Sequence, residues 1–200
     1  MRAILTVPGG RQRLAIDEVA RPEAGRDEAL VEVRAISLNA GEVRSALAAE
    51  RPYVPGWDFA GRVVAAAADG TSPRAGTDVV GSVRSGAWAE FVCVRGSEVA
   101  ELPAGVSFAE AACLPVAGLT ALCALDAYGC VLGRRVLITG ASGGVGRFAA
   151  QLASLAGASV FLISRRAALP ELLAKDGVRG ATVFHDIRAA AREGQYDLIL

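Results

Sequence analysis

Several features that mark particular classes of protein are missing from this chain. No apolar run approaches the roughly 20 residues that a membrane-spanning helix needs. The formal net charge is +0 and no basic cluster is longer than a pair, which argues against a nucleic-acid-binding surface. The N-terminus lacks the charged region and apolar core of a secretory signal, so we expect a cytoplasmic location. The sequence thus predicts a protein that binds neither nucleic acid nor a membrane.

Residues that commonly bind metals are also scarce. The four cysteines, Cys93, Cys113, Cys123 and Cys130, include no CxxC pair and lie in apolar surroundings. Metal binding or disulfide formation stays open, but small buried hydrophobic side chains are the favoured interpretation. His185 is the only histidine, and we interpret it as a surface residue rather than as a ligand.

The most informative stretch is a strand, a glycine-rich turn and a helix that follow one another over residues 136–156. Residues 136–139 are apolar or β-branched, as in a buried strand, and the turn after them carries Gly143, Gly144 and Gly146. Free backbone N–H groups and the helix dipole make such a turn an anion site, and its glycines let a pyrophosphate approach the backbone. A second strand at residues 159–163 completes a βαβ unit. This context favours a dinucleotide site over the alternative of a merely tight turn.

The first half of the chain consists of short strands and turns. Many short strands separated by glycine, proline and serine indicate a small β-barrel rather than a parallel sheet. A helical pattern begins at Ser107, where Glu110 takes a capping-box position, and Pro115 interrupts it. We therefore predict one domain over residues 1–115 and a second over 116–200. Strands are predicted at 3–7, 14–19, 29–36, 62–67, 79–81 and 87–94, with an irregular segment at 52–61.

The second half supplies four strands of a doubly wound sheet. Such a sheet usually has six strands in the order 3-2-1-4-5-6, so strand 4, at residues 196–200, is expected beside strand 1. Because only four strands are present, we expect the sequence to be part of a longer protein and a poor enzyme by itself.

Five segments of the chain are informative together: SLN at 37–39, PGWDFAG at 55–61, GAWAEF at 86–91, LPVAGLTA at 114–121 and GASGGVG at 140–146. Together they resemble the zinc-independent quinone oxidoreductase branch of the medium-chain dehydrogenase/reductase superfamily. They lie in the family's order and cover nearly the whole chain. The resemblance implies an α/β protein with a GroES-like β-barrel catalytic domain, then a partial Rossmann domain, and an active site between them.

The resemblance also implies that zinc is absent. Asn39, Trp57 and Val116 stand where the superfamily's alcohol dehydrogenases carry their zinc ligands, and an amide, an indole and an isopropyl group cannot build a zinc site. The substrate carbonyl must then be polarised by hydrogen bonds, and Asn39 can donate one from a place beside the nicotinamide. Asn39 could equally cap the following helix, and both roles can hold together.

Other site residues follow from the same resemblance. A tyrosine that the family often has shortly after this asparagine is absent, which leaves Tyr53 as the nearest phenol and a candidate proton donor, or simply a packing residue. Thr120 matches a threonine that contacts the nicotinamide end, with a helix-surface hydroxyl as the alternative. Asp58 would orient the barrel loop or form a structural hydrogen bond. The pyrophosphate contacts are expected from Gly143, Gly144 and Val145.

The cofactor preference is predicted from the end of the second Rossmann strand. Ser164, Arg165 and Arg166 stand where NAD-binding folds carry a carboxylate for the ribose 2′-hydroxyl, and no carboxylate follows until Glu171. Arginine grips phosphate through paired, charge-assisted bonds, so the segment predicts NADPH. Two solvated arginines on a loop are the alternative.

The sequence therefore predicts NADPH-dependent hydride transfer to a quinone or an α,β-unsaturated carbonyl compound, a small-molecule substrate, without zinc. An enoyl-thioester reductase and a redox-inactive NADPH-binding relative are the alternatives. The full-length protein is expected to be a homodimer.

Overall fold

Two units, Met1–Val116 and Ala117–Leu200, make up the computed structural model, which describes residues 1–200. The first unit contains β1 (Arg2–Thr6), β2 (Leu14–Glu18), β3 (Glu28–Ile36), α1 (Ala40–Leu47), β4 (Asp58–Ala65), β5 (Asp78–Ser82), β6 (Phe91–Arg95), β7 (Val99–Glu101) and α2 (Phe108–Ala112). Helix α3 (Pro115–Tyr128) starts at the end of this unit. The second unit contains β8 (Arg135–Ile138), α4 (Gly144–Leu155), β9 (Ser159–Ile163), α5 (Leu169–Lys175), β10 (Thr182–Phe184), α6 (Ile187–Glu193) and β11 (Leu198–Ile199).

The first unit is built on a five-stranded antiparallel sheet in the order β6-β3-β4-β5-β7, with β1 and β2 as a separate antiparallel pair. The ladder is open, since β6 and β7 are its edges, and ladder hydrogen bonds do not close it into a barrel. Val31, Phe59, Val63 and Val79 are fully buried and form the core of this unit with residues of β6. Gly61 is required in β4 because a Cβ there would lie 2.1 Å from the Glu32 carbonyl oxygen of β3.

Two predictions, one about the start of a strand and one about the cysteines, were wrong. Residues Asp58 to Gly61 are predicted to belong to an irregular segment, but they open β4 and pair with β5. All four residues are buried, so the alternation of apolar and polar residues that indicates a strand is absent there. The cysteines are predicted to be buried, but Cys113, Cys123 and Cys130 are exposed and Cys93 is partly buried.

The second unit is a four-stranded parallel sheet in the order β10-β9-β8-β11. This confirms the predicted order 3-2-1-4. Val136 and Ile138 of β8 pack on one face against α4 and α5, while Leu137 packs on the other face with Phe161 and with Ala190 of α6. The two faces explain why the strands are apolar throughout. No helix of the protein combines the length and the apolar character that crossing a membrane would require.

Candidate functional site

A polar cluster is buried where α1 begins in the first unit. Asn39 is the N-cap of α1 and Glu42, three residues on, completes a capping box. The Glu42 carboxylate accepts hydrogen bonds from the backbone N–H of Asn39 at 2.6 Å and of Trp57 at 2.6 Å. It also accepts one from Asn39 Nδ2 at 3.1 Å. Glu42 is 1% exposed, so it ties α1 to the segment before β4 from inside the fold.

Asp58 lies on the other side of the Asn39 amide. Its carboxylate accepts a hydrogen bond from Asn39 Nδ2 at 2.8 Å and one from the backbone N–H of Val116 at 3.1 Å. Asp58 is 0% exposed. Burial raises its pKa above the ordinary value; the bonds from Asn39 and Val116 lower it, and the nearby Glu42 raises it further. The amide of Asn39 therefore lies between two buried carboxyl groups.

This geometry bears on the role expected of Asn39. The amide nitrogen has two hydrogens, and Glu42 and Asp58 each accept one of them. Both donors are thus engaged, and neither is left for a substrate carbonyl in this conformation. The alternative role, as the cap of a helix, is present. The importance of Glu42 was missed, although the spacing of Asn39 and Glu42 is a capping-box signal that could have revealed it.

A cavity of about 440 Å³ lies beside this cluster, within the first unit. Trp57 and Val116 line it, and both are joined to the cluster through their backbone N–H groups. Neither side chain offers a lone pair to zinc, because an indole N–H is a donor only and an isopropyl group has no polar atom. The remaining lining residues are Ser82, Val83, Arg84 and Glu98.

Tyr53 is held by its backbone rather than by its phenol. Its N–H donates to Thr6 Oγ1 at 3.0 Å, and its carbonyl accepts from the Thr6 N–H at 3.0 Å. The side chain is partly buried and its hydroxyl makes no hydrogen bond to the Asn39 cluster. The structure therefore supports the packing interpretation of Tyr53, and its proposed part in proton transfer stays a prediction.

In the second unit the glycine-rich turn joins β8 to α4. Gly143 is the N-cap of α4, and its N–H donates to the Gly140 carbonyl at 2.8 Å. The first backbone bond of the helix runs from the Arg147 N–H to the Gly143 carbonyl at 3.0 Å. The N–H groups of Gly144 and Val145 therefore have no acceptor in the helix and lie on exposed residues. This is the arrangement that binds anions.

The segment after β9 holds the residues predicted to select the cofactor. Arg165 and Arg166 are exposed, and neither guanidinium forms an ion pair with a carboxylate. Ser164 is predicted to lie with the two arginines at the 2′-phosphate site. It is only 5% exposed, however, and its hydroxyl accepts a hydrogen bond from the Arg166 N–H at 3.0 Å. Ser164 thus shapes the turn that presents the two arginines. Adjacent parallel strands end at the same edge of a sheet, so the arginines and the glycine turn lie at the carboxyl edge of the second unit.

Two more predicted residues lie on the surface. Thr120 is exposed on α3 and its hydroxyl has no hydrogen bond within the protein. His185 is exposed after β10, which confirms the interpretation as a surface residue.

Comparison with known proteins assigns the chain to a family. The family described as "Alcohol dehydrogenase GroES-like domain" matches residues 25–124. A chloroplastic quinone oxidoreductase of Triphysaria versicolor is 39% identical over 163 residues, which are 74% of this chain and 50% of that protein. A trans-enoyl reductase of Aspergillus terreus is 35% identical over 184 residues, covering 80% of this chain and 60% of that protein. The chain thus spans about half the length of the first of these relatives.

Solved structures agree with the sequence comparison. The quinone oxidoreductase of Thermus thermophilus, studied also in complex with NADPH, matches 100% of this chain and 65% of its own with a TM-score of 0.82 and 29% identity. The GroES-like match, the parallel sheet with its glycine turn and these relatives place the chain in the quinone oxidoreductase branch of the medium-chain dehydrogenase/reductase superfamily.

Proposed function

We propose that the protein transfers a hydride from NADPH to a quinone or an α,β-unsaturated carbonyl compound, without zinc. The observation that carries this proposal is the carboxyl edge of the second unit. There, α4 follows β8 and begins with exposed residues whose N–H groups have no acceptor in the helix. Arg165 and Arg166, which have no carboxylate partner, follow the adjacent strand β9. One site suits a pyrophosphate and the other suits the 2′-phosphate that distinguishes NADPH from NADH.

The residues of this chain would divide the work of binding. Gly144 and Val145 donate backbone N–H groups to the pyrophosphate, and Arg165 and Arg166 bind the 2′-phosphate. Thr120 contacts the nicotinamide end of the cofactor. Trp57, Val83 and Val116 give the cavity of the first unit an apolar part, which suits a planar apolar substrate. When bound, NADPH supplies the hydride.

Relatives support the reaction class. The Triphysaria protein is named as a quinone oxidoreductase and the Aspergillus protein as a trans-enoyl reductase. The Thermus relative forms a complex with NADPH.

The test is turnover of NADPH with a panel of quinones, enones and enoyl-CoA thioesters by the full-length protein. We expect oxidation of NADPH in the presence of at least one quinone or enone. Binding of NADPH without turnover of any acceptor would favour the redox-inactive alternative instead.

Independence from zinc is tested by metal analysis. Asn39, Trp57 and Val116 cannot supply three zinc ligands, so protein washed with a chelator should contain far less than one zinc per chain and keep its activity. Stoichiometric zinc that survives the chelator, or activity that needs added zinc, would contradict this.

A second candidate, reduction of an enoyl thioester, is favoured by one feature of the cavity. Arg84 lines it, is exposed and forms no ion pair, so a cation is available to an anionic carrier group. A strong preference for the CoA thioesters in the panel would support this candidate. The cytoplasmic location and the homodimer also stay predictions; the Triphysaria relative is named as a chloroplast protein.

A further inference from the structure

The amide of Asn39 is held by two carboxylates that come from different elements. Glu42 lies in the first turn of α1, and Asp58 is the first residue of β4. Each accepts one hydrogen of Nδ2, at 3.1 Å and 2.8 Å. Both carboxyl groups are buried, at 1% and 0% exposure, so water does not compete for these bonds.

This arrangement permits only one orientation of the amide. A carboxylate only accepts hydrogen bonds, so it matches the NH2 group of an asparagine and repels its carbonyl oxygen. Rotation of the Asn39 amide by half a turn would direct Oδ1 at two buried acceptors and leave them without donors. Buried polar groups without partners are costly, so the flipped state is excluded.

Glu42 and Asp58 are themselves fixed by backbone donors. Glu42 accepts from the N–H groups of Asn39 and Trp57, and Asp58 accepts from that of Val116. These contacts lie in the same unit, next to the cavity lined by Trp57 and Val116. The orientation of the amide is therefore set by the fold itself and does not depend on a bound ligand.

We infer that Glu42 and Asp58 are positioning residues that lock the amide of Asn39, so that Asn39 meets a ligand through Oδ1, as a hydrogen-bond acceptor. Its partner is then an N–H or O–H donor at the nicotinamide-riboside end of the cofactor, and this part rests on the proposed function. An amide oxygen has two lone pairs, so it can face the start of α1 in the capping box and still accept a bond from a ligand. Asn39 does not donate to the substrate carbonyl.

The lock is tested without any ligand. Asn39 is the only asparagine among these 200 residues. In protein labelled with 15N-asparagine, its side-chain NH2 group is assigned by NMR as the signal pair that Asn39→Gln removes. We expect its two proton signals to exchange slowly with water and to shift as Asp58 titrates. In Asp58→Ser, which adds no second asparagine, this pH-dependent shift disappears, while Asp69→Ser, at an exposed carboxylate that bonds only Thr71, leaves it unchanged. A fast-exchanging NH2 group with no titration in the wild type would overturn the inference.

The contribution of Glu42 has a matched control. Glu110 holds the same capping-box position at the start of α2, but it is exposed and bonds only Ser107. We expect Glu42→Gln to change the NH2 signals of Asn39 and Glu110→Gln to leave them as they are. Equal spectra for the two variants would overturn the role of Glu42.

The acceptor role is tested by cofactor binding. Removing one neutral hydrogen bond weakens binding by about 2- to 10-fold, so Asn39→Ala should lower the affinity for NADPH by that factor. Asp58→Asn should lower it similarly, and the double variant should lose no more than Asn39→Ala, because the two residues act through one amide. If the loss of NADPH affinity in the double variant equals the product of the two single-variant losses, the inference is overturned.

The cofactor donor is identified with 3-acetylpyridine adenine dinucleotide phosphate, in which a methyl group replaces the carboxamide nitrogen. If Asn39→Ala costs nothing with this analogue, the donor is the carboxamide N–H. If the loss persists, the donor is a ribose hydroxyl. Either result supports an acceptor role, whereas no loss with NADPH itself overturns it. A wild type that binds no NADPH would refute the proposed function while the NMR result on the lock stands.

Discussion

At the scale of single residues, Asp58 is the most unusual group in the molecule. A fully buried carboxyl group is rare unless it is paired or hydrogen-bonded, and here an amide and a backbone N–H provide its bonds, with no cation. Burial outweighs these bonds and raises its pKa. The native state therefore holds the Asp58 proton at a higher pH than the unfolded chain does.

This difference makes stability depend on pH. Because its native pKa is raised, Asp58 contributes stability that is fully present below its unfolded pKa of 3.8 and is lost as pH rises through the native value. The free energy of unfolding of the wild type, relative to Asp58→Asn, should thus fall as pH rises from about 4. Urea unfolding of both proteins across pH 4–8 measures this trend.

Asp78 provides the opposite case as a control. The hydrogen bond from Arg62 lowers the pKa of Asp78, so its contribution is present above the unfolded pKa and is lost as pH falls through the native value. When Asp78→Asn is added to both proteins, the difference in the free energy of unfolding between Asp58 and Asn at position 58 should therefore show the same trend above pH 4. A stability difference that does not change with pH would show that Asp58 is not perturbed.

Arg165 is predicted to select the cofactor. A hydrogen bond to a charged group is worth about 1.5–3 kcal/mol, which corresponds to roughly 10- to 150-fold in affinity. Arg165→Ala should weaken NADPH binding by about that factor and leave NADH binding nearly unchanged, as measured by fluorescence titration. Arg179→Ala, at another exposed arginine of this unit without an ion pair, is the control. Equal losses for both cofactors, or a wild type that prefers NADH, would contradict the assignment.

At the scale of elements, the turn between β8 and α4 depends on one glycine for packing. A Cβ on Gly146 would lie 2.5 Å from the Gly140 carbonyl oxygen and 2.7 Å from the Ala141 Cα, so the backbone of the turn would have to move. A Cβ on Gly144 would meet only the Ala117 Cβ, at 3.3 Å. The two positions belong to the same helical turn but differ in the room that they offer.

Gly146→Ala should therefore lower the free energy of unfolding by about 1–3 kcal/mol, as overpacking does. Gly144→Ala should be close to neutral, because alanine favours the helix by about 0.5–1 kcal/mol and offsets the tight contact. Denaturant unfolding of the two variants tests this pair. Equal destabilisation would mean that the close approach at Gly146 does not exist.

The elements also show what the sequence could and could not predict. The βαβ unit and the order of the parallel strands were predicted, because apolar runs, glycines and chain connectivity determine them locally. The start of β4 was missed because burial on both faces removes the alternation. Helix α3 is apolar on several sides, with Leu119 and Leu122 exposed, so its sequence could not show that Cys123 lies outside.

The candidate site was predicted only in part, because some of its contacts join residues that are far apart in the sequence. A spacing of three residues links Asn39 to Glu42, but Asp58 lies 19 residues further along the chain than Asn39, and only the fold brings them together. Both hydrogens of the Asn39 amide are engaged, and the Ser164 hydroxyl accepts a hydrogen bond within its own turn. These side-chain contacts depend on the fold, and no local sequence pattern predicts them.

At the scale of the whole molecule, the two units carry complementary chemistry. The second unit presents backbone N–H groups and two arginines, which suit the phosphates of a dinucleotide. The first unit presents a cavity with both apolar and charged lining residues, next to the amide that Glu42 and Asp58 hold. Neither unit offers three metal-binding side chains in one place. In the proposed reaction, NADPH supplies the reducing equivalent and the protein orients the reactants.

The most direct test follows deuterium from the cofactor into the product. NADPH deuterated at the transferred position of C4 is incubated with the full-length, chelator-washed protein and an α,β-unsaturated ketone, and the product is examined by mass spectrometry and NMR. We predict one deuterium at the carbon β to the carbonyl, because a hydride adds there and a solvent proton adds at the α carbon. A reduced product without that deuterium, or transfer only from deuterated NADH, would contradict the central claim.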